Sequence, residues 1–146
     1  MSRRFLGLIF SLSSIILFAD LPSYSAEPSL PPVNIGVIVA QSGPLALIGR
    51  GIVNAIVLAS EKYDPEHRVN FIFEDDGLQP SRTVSAANKL ISVDRVHALV
   101  TFTGGTSAAV APIAEEKRIP LITIAAGDQH TIGKKFVYRL FLSTAK

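Results

Sequence analysis

Apolar and polar positions along this chain follow two alternating rhythms. Val33 to Ala40 (VNIGVIVA) is almost wholly apolar and β-rich, the pattern of a strand covered on both faces. Ser42-Gly43-Pro44 turns the chain, and from Leu45 to Lys62 the period changes. There Ile48, Ile52, Ile56 and Ala59 recur at steps of three and four, which predicts a helix with one buried stripe. Tyr63-Asp64-Pro65 ends it, because the residue before a proline avoids the helical region. Val69 to Phe73 reads as a second strand that runs into Glu74-Asp75-Asp76 and Gly77. A second helix is expected from Pro80, suited to a first turn, to Asp94, with Val84, Ala87, Leu90 and Ile91 as its apolar stripe. Val96 to Phe102 is a third strand, Thr103-Gly104-Gly105-Thr106-Ser107 a small polar loop, and Ala108 to Lys117 an Ala-rich helix. Leu121 to Ala125 is a fourth strand, Gly127 to Lys134 a loop, and Phe136 to Leu142 a fifth strand.

Strands that alternate with helices of this length require right-handed crossovers. The expected fold class is therefore α/β: a doubly wound, mostly parallel sheet with helices on both faces. Ligands of such sheets sit outside the carboxyl ends of the strands. Three loops meet that criterion: Gln41 to Pro44, Phe102 to Ser107, and Ala125 to Asp128. The last two are rich in Gly, Thr, Ser and Ala. Small side chains let a ligand approach the backbone, and free N–H groups at a helix start favour a carboxylate or phosphate. The same composition also serves an ordinary tight turn.

The residues before Val33 have a different character. Arg3 and Arg4 form a cationic start, Phe5 to Ala19 is an apolar run diluted by Ser11, Ser13 and Ser14, and Ser23, Ser25 and Ala26 follow. Positive, apolar, then small is the order of a secretory signal. The apolar run also falls short of the ~20 residues a bilayer-spanning helix needs. Residues 1–26 are thus read as a cleaved signal peptide and 27–146 as the mature unit, exported to the periplasm.

Composition narrows the chemistry. The 146 residues are 48% hydrophobic and 18% charged, with 14 basic against 12 acidic side chains. That is a globular balance with no basic run long enough to follow a nucleic-acid backbone. There is no cysteine, which excludes disulfides, thiolate metal sites, a Cys nucleophile and a lipid-modified Cys anchor. Glu74-Asp75-Asp76 lies where a Mg²⁺ site would be, yet one acidic run lacks the partners other strands supply, so a structural or solvated turn is the better reading. No metal and no cofactor is expected. Gly105-Thr106-Ser107-Ala108-Ala109 follows a strand like a nucleophile elbow, and Asp128 and His130 come next in the order of a serine-hydrolase triad. Two residues apart in one loop, however, that Asp is poorly placed to orient that His, and Ser107 reads more simply as a helix N-cap. Gly127 to Gly133 followed by Lys134 has one residue too many for a phosphate loop. His67 and His97 border strands in polar surroundings and read as surface residues.

Four stretches carry a family resemblance: IGVIVAQSGPLALIGRG from Ile35 to Gly51, FIFEDDGLQPSRTVSAANKLI from Phe71 to Ile91, ALVTFTGGTSAAVAPIAEEKRIPLIT from Ala98 to Thr123, and FVYRLF from Phe136 to Phe141. In this order they resemble the Leu/Ile/Val-binding family of periplasmic binding proteins, from about Val33 to the end. The resemblance implies a two-lobed protein at least about twice this length, of which this sequence supplies most of the N-terminal lobe. It also implies a non-catalytic role: an amino acid or similar small polar solute closes between the lobes, and the liganded form docks on the membrane permease of an ABC importer. By the same resemblance the ligand's carboxylate and amino groups are held by Thr103, Gly104 and Thr106 in one loop and by Ala126, Gly127 and Asp128 in another. The family often has consecutive serines where this chain has Thr103 and Gly104, and a Ser or Thr where it has Gly127 or Asp128. Backbone donors survive such changes; side-chain hydroxyl contacts do not. A ligand sensor of the same fold on a receptor remains the other reading of the family pattern.

Overall fold

A computed structural model describes residues 31–127 and 129–142; the expected signal peptide and Asp128 lie outside them. The elements run β1 (Val33–Ile38), α1 (Ala46–Tyr63), β2 (Val69–Glu74), α2 (Pro80–Ser92), β3 (Ala98–Phe102), α3 (Gly104–Lys117), β4 (Leu121–Ile124) and β5 (Val137–Arg139). All strand pairs are parallel, in the order β2-β1-β3-β4-β5. The expected parallel α/β fold is the observed one. Because β2 and β3 flank β1 on opposite sides, the winding direction reverses there, and the loops after β1 and β3 part at the carboxyl edge.

Register sorts the side chains onto two faces. Ile38, Leu99, Leu121 and Val137 point to one side and are buried against Ala86, Ala87 and Leu90 of α2 and Val110, Ala111 and Ala114 of α3. The small alanines let these two helices lie close together on the sheet, and this layer is the core. The other face carries Phe71, Phe73, Val100, Phe102, Ile122 and Ile124, all only half-buried apart from the fully covered Val37 at its centre. Phe71 and Phe73 stack there with ring centroids 6.4 Å apart.

Helix α1 lies on that second side, and it corrects one expectation. Of the stripe Ile48, Ile52, Ile56 and Ala59, Ile48 and Ala59 are exposed and the other two half-buried. The helix's buried residue is Gly49. A β-carbon on Gly49 would stand 1.8 Å from the carbonyl oxygen of Ala40. Its missing side chain is what allows α1 to rest on the end of β1. Periodicity revealed an amphipathic helix, but it carries no information on how much of the stripe a neighbour covers.

Candidate functional site

Three parallel strands end side by side: β1 at Ile38, β3 at Phe102 and β4 at Ile124. Thr103 follows β3 directly, and its N–H donates to the Ile124 carbonyl at 3.3 Å. With φ 76° and ψ 151°, Thr103 holds a conformation that L-residues adopt only under strain. The turn it makes is so tight that α3 begins at the next residue. The expected small polar loop is therefore mostly helix. Ser107, expected at the N-cap, lies inside the first turns, and Thr103 takes the cap position without a side-chain capping bond.

The first helix-type bond of α3 runs from the Ser107 N–H to the Thr103 carbonyl. The preceding amides of Gly104, Gly105 and Thr106 belong to the orphan donors at a helix start. No acidic residue occupies the first turn, so among the described residues the helix itself supplies no anion to the positive end of its dipole. Gly105 is exposed and open space lies around its α-carbon, while a β-carbon on Gly104 would reach 3.8 Å from the carbonyl oxygen of Ala126. Gly104 and Ala126, 22 residues apart in sequence, are neighbours at the same edge of the sheet.

The loop after β4 is fastened from beneath. Arg139 of β5 donates to the Gly127 carbonyl at 3.1 Å. His130 is buried, with Nε2 3.0 Å from the Thr123 hydroxyl; burial holds its imidazole below the ordinary histidine value. Next to it the buried Thr101 and Ser107 hydroxyls pair at 2.9 Å. Ser107 thus has its oxygen turned into the core and bonded to a threonine, while His130 partners Thr123. That is not the arrangement of a nucleophile and its base.

The remaining loop residues divide by atom. Thr106 is buried, and its hydroxyl is committed to the Phe102 carbonyl and the Thr103 hydroxyl. What it offers a ligand is its backbone. Thr103, Gly104 and Gly127 are half-buried, and Ala126 is exposed. The structure brings Thr103, Gly104, Thr106, Ala126 and Gly127 together; Asp128 lies outside the described residues. Among the described residues no cluster of three or more His, Cys, Asp or Glu could hold a metal ion, and no helix is long and apolar enough to cross a membrane.

The acidic run is the structural turn that the sequence suggested, but its partners were not legible there. Asp75 accepts the backbone N–H groups of Gln41 at 2.8 Å, Ser42 at 3.2 Å and Gly77 at 2.9 Å on one carboxylate oxygen. The Ser42 hydroxyl, together with these amides, lowers its pKa to about 2, against the opposing effect of burial. Asp76 accepts the Leu78 N–H and the Thr83 hydroxyl, each at 2.9 Å, and Glu74 pairs with Lys89. All three acids are internally occupied. The spacing of the run marked a turn; Gln41 and Ser42, more than thirty residues upstream of Asp75, left no local signal.

Comparison with known proteins is consistent with this geometry. The family model described as periplasmic binding protein matches residues 32–146. A Leu/Ile/Val-binding protein homologue of Brucella suis is 27% identical over 121 residues, covering 78% of this chain and 30% of the relative. An ABC-transporter solute-binding protein of Rhodopseudomonas palustris, solved with 3,4-dihydroxybenzoic acid, superposes with a TM-score of 0.70 at 27% identity, over 75% of this chain and 32% of that one. A leucine-binding protein of Thermotoga maritima gives 0.69 at 29% identity, over 74% and 32%. The chain spans about a third of the length of each of these relatives.

Proposed function

The chain belongs to the periplasmic binding protein family, and from that premise we propose that it forms the carboxylate-gripping wall of a solute-binding component of an ABC importer. The ligand is a small organic acid, an amino acid or an aromatic acid. One end of the ligand is fixed and the other varies: a leucine-binding protein and a protein solved with a dihydroxybenzoic acid are both similar to this chain, and leucine and dihydroxybenzoate share only their carboxylate. The observation that carries the reading is the start of α3. Its orphan amides lie next to Ala126, and its first turn carries no acid of its own, so an anion finds donors there. Thr103, Gly104 and Thr106 act through their backbone, the two threonine hydroxyls being paired with each other, and Ala126 and Gly127 border the adjacent side, with Asp128 the further contact proposed in that loop. The protein works in the periplasm after loss of residues 1–26, hands its solute to a membrane permease and performs no catalysis.

Gly105→Asp tests this directly. The site around Gly105 has room for a side chain, and an acid in the first turn stabilises a helix by about 0.3–1 kcal/mol. The same charge repels a carboxylate. The expected result is an unchanged or slightly raised melting temperature, with at least about tenfold weaker binding of leucine or 3,4-dihydroxybenzoate. Binding is read from the amide shifts of Gly104, Gly105 and Thr106. Unaltered affinity, or ligand-induced shifts confined to other parts of the sheet, would refute the assignment.

A further inference from the structure

The carboxyl edge holds a second group of amides aimed at one oxygen, and it is already filled. The N–H groups of Gln41 and Ser42, in the loop between β1 and α1, and that of Gly77, before α2, all converge on Oδ1 of Asp75. The loop is otherwise lightly held. The Arg50 guanidinium reaches the Gln41 carbonyl at 3.3 Å from an exposed position, and the Ala46 N–H bonds within the turn to the Gly43 carbonyl at 3.2 Å. Gly43 and Gly77, both at positive φ, bring the two turns together: a β-carbon on Gly43 would lie 3.5 Å from the Gly77 carbonyl. Arg82 closes the far side by donating to the Asp75 carbonyl at 3.3 Å. A carboxylate of this chain therefore sits in a cradle of the kind that the start of α3 holds open for a ligand.

We propose that Asp75 is a positioning residue, a resident anion that sets the loop Gln41–Pro44 as the wall of the crevice beside the start of α3. This builds on the carboxylate reading of α3 but is tested without it. Two consequences follow for the ligand. The amide donors on the β1 side are spent on Asp75, so the rim accepts one external carboxylate, at α3, and a second acidic group on a solute finds no free cradle among the described residues. The β1 loop is also held in place before solute arrives, so its ordering entropy is not charged to binding.

The experiment is Asp75→Ala in the full chain, read by amide hydrogen exchange without any solute, with and without sodium formate. Loss of the carboxylate is expected to speed exchange at Gln41, Ser42 and Gly77 at least about tenfold while Leu99 in the core is unmoved, because the loop opens locally and the sheet does not. Formate, which fits the vacated cradle, is expected to restore protection at those three amides. Asp75→Asn keeps an acceptor oxygen and should show a smaller acceleration, which guards against a poorly folding alanine variant. Uniform acceleration across the sheet, an unaltered loop, or protection that formate does not restore would each overturn the positioning role. Failure of the Gly105→Asp experiment removes the ligand from α3 but leaves these exchange results to decide Asp75 separately.

Discussion

Gly49 and Gly51 lie two residues apart in α1 and should respond to the same substitution with opposite signs. At Gly49 an added β-carbon would stand 1.8 Å from the Ala40 carbonyl oxygen, short by about 1.2 Å even against the 3.0 Å that real β-carbons hardly ever breach. The obstacle is backbone at the end of a central strand, so α1 must move. Overpacking of this kind costs about 1–3 kcal/mol. A rigid backbone on both sides places this case at the upper end, about 3 kcal/mol. Replacing a helical glycine by alanine returns about 1 kcal/mol, for a net loss near 2 kcal/mol. At Gly51 nothing lies within 4 Å of the added carbon, and only the gain of about 1 kcal/mol remains. The two variants should then differ by about 3 kcal/mol. In urea, at a slope of about 1.5 kcal/mol per molar, that separates their midpoints by about 2 M. Coincident midpoints, or a Gly49→Ala variant more stable than the parent, would refute the claim that α1 is seated on Ala40 by a missing side chain.

Other outcomes follow from the same structure. Thr103→Gly should relieve the strained turn and stabilise the chain by about 1 kcal/mol in thermal unfolding, with loss of the hydroxyl that meets Thr106. His130 is held neutral by burial, so its folded pKa lies below its unfolded one. Its contribution is complete above the unfolded value near 6.5 and lost as the pH falls through that value toward the folded one. Denaturation midpoints should drop on acidification in this window, and His130→Gln should flatten the dependence. Calorimetry of the 146-residue chain with leucine or 3,4-dihydroxybenzoate should show only weak binding, followed by amide shifts at high solute concentration, because one wall leaves most of a solute in water; low-micromolar affinity would contradict that.

Much of the architecture was legible from pattern alone, and the reason is physical. Strands covered on both sides have no polar alternation, so Val33–Ile38 and Leu121–Ile124 stood out, and parallel winding forces their following loops to one edge. The proximity of Gly104 and Ala126 follows from that rule rather than from any motif. The start of α3 was hidden because paired glycines read as turn, whereas here their lack of side chains leaves helix amides bare. Nor does composition announce that a threonine, rather than a glycine, will accept positive φ at position 103. The buried pairs Thr101–Ser107 and Thr123–His130, like the grip of Asp75 on Gln41, join residues across elements, and only the folded register reveals them.

The unequal dressing of the sheet has a mechanical consequence. Among the described residues two helices cover one side, and a single helix on the other carries the β1 loop at its own start. That helix meets the end of its strand at Gly49, so any displacement there would be passed first to the β1 loop that leads into it.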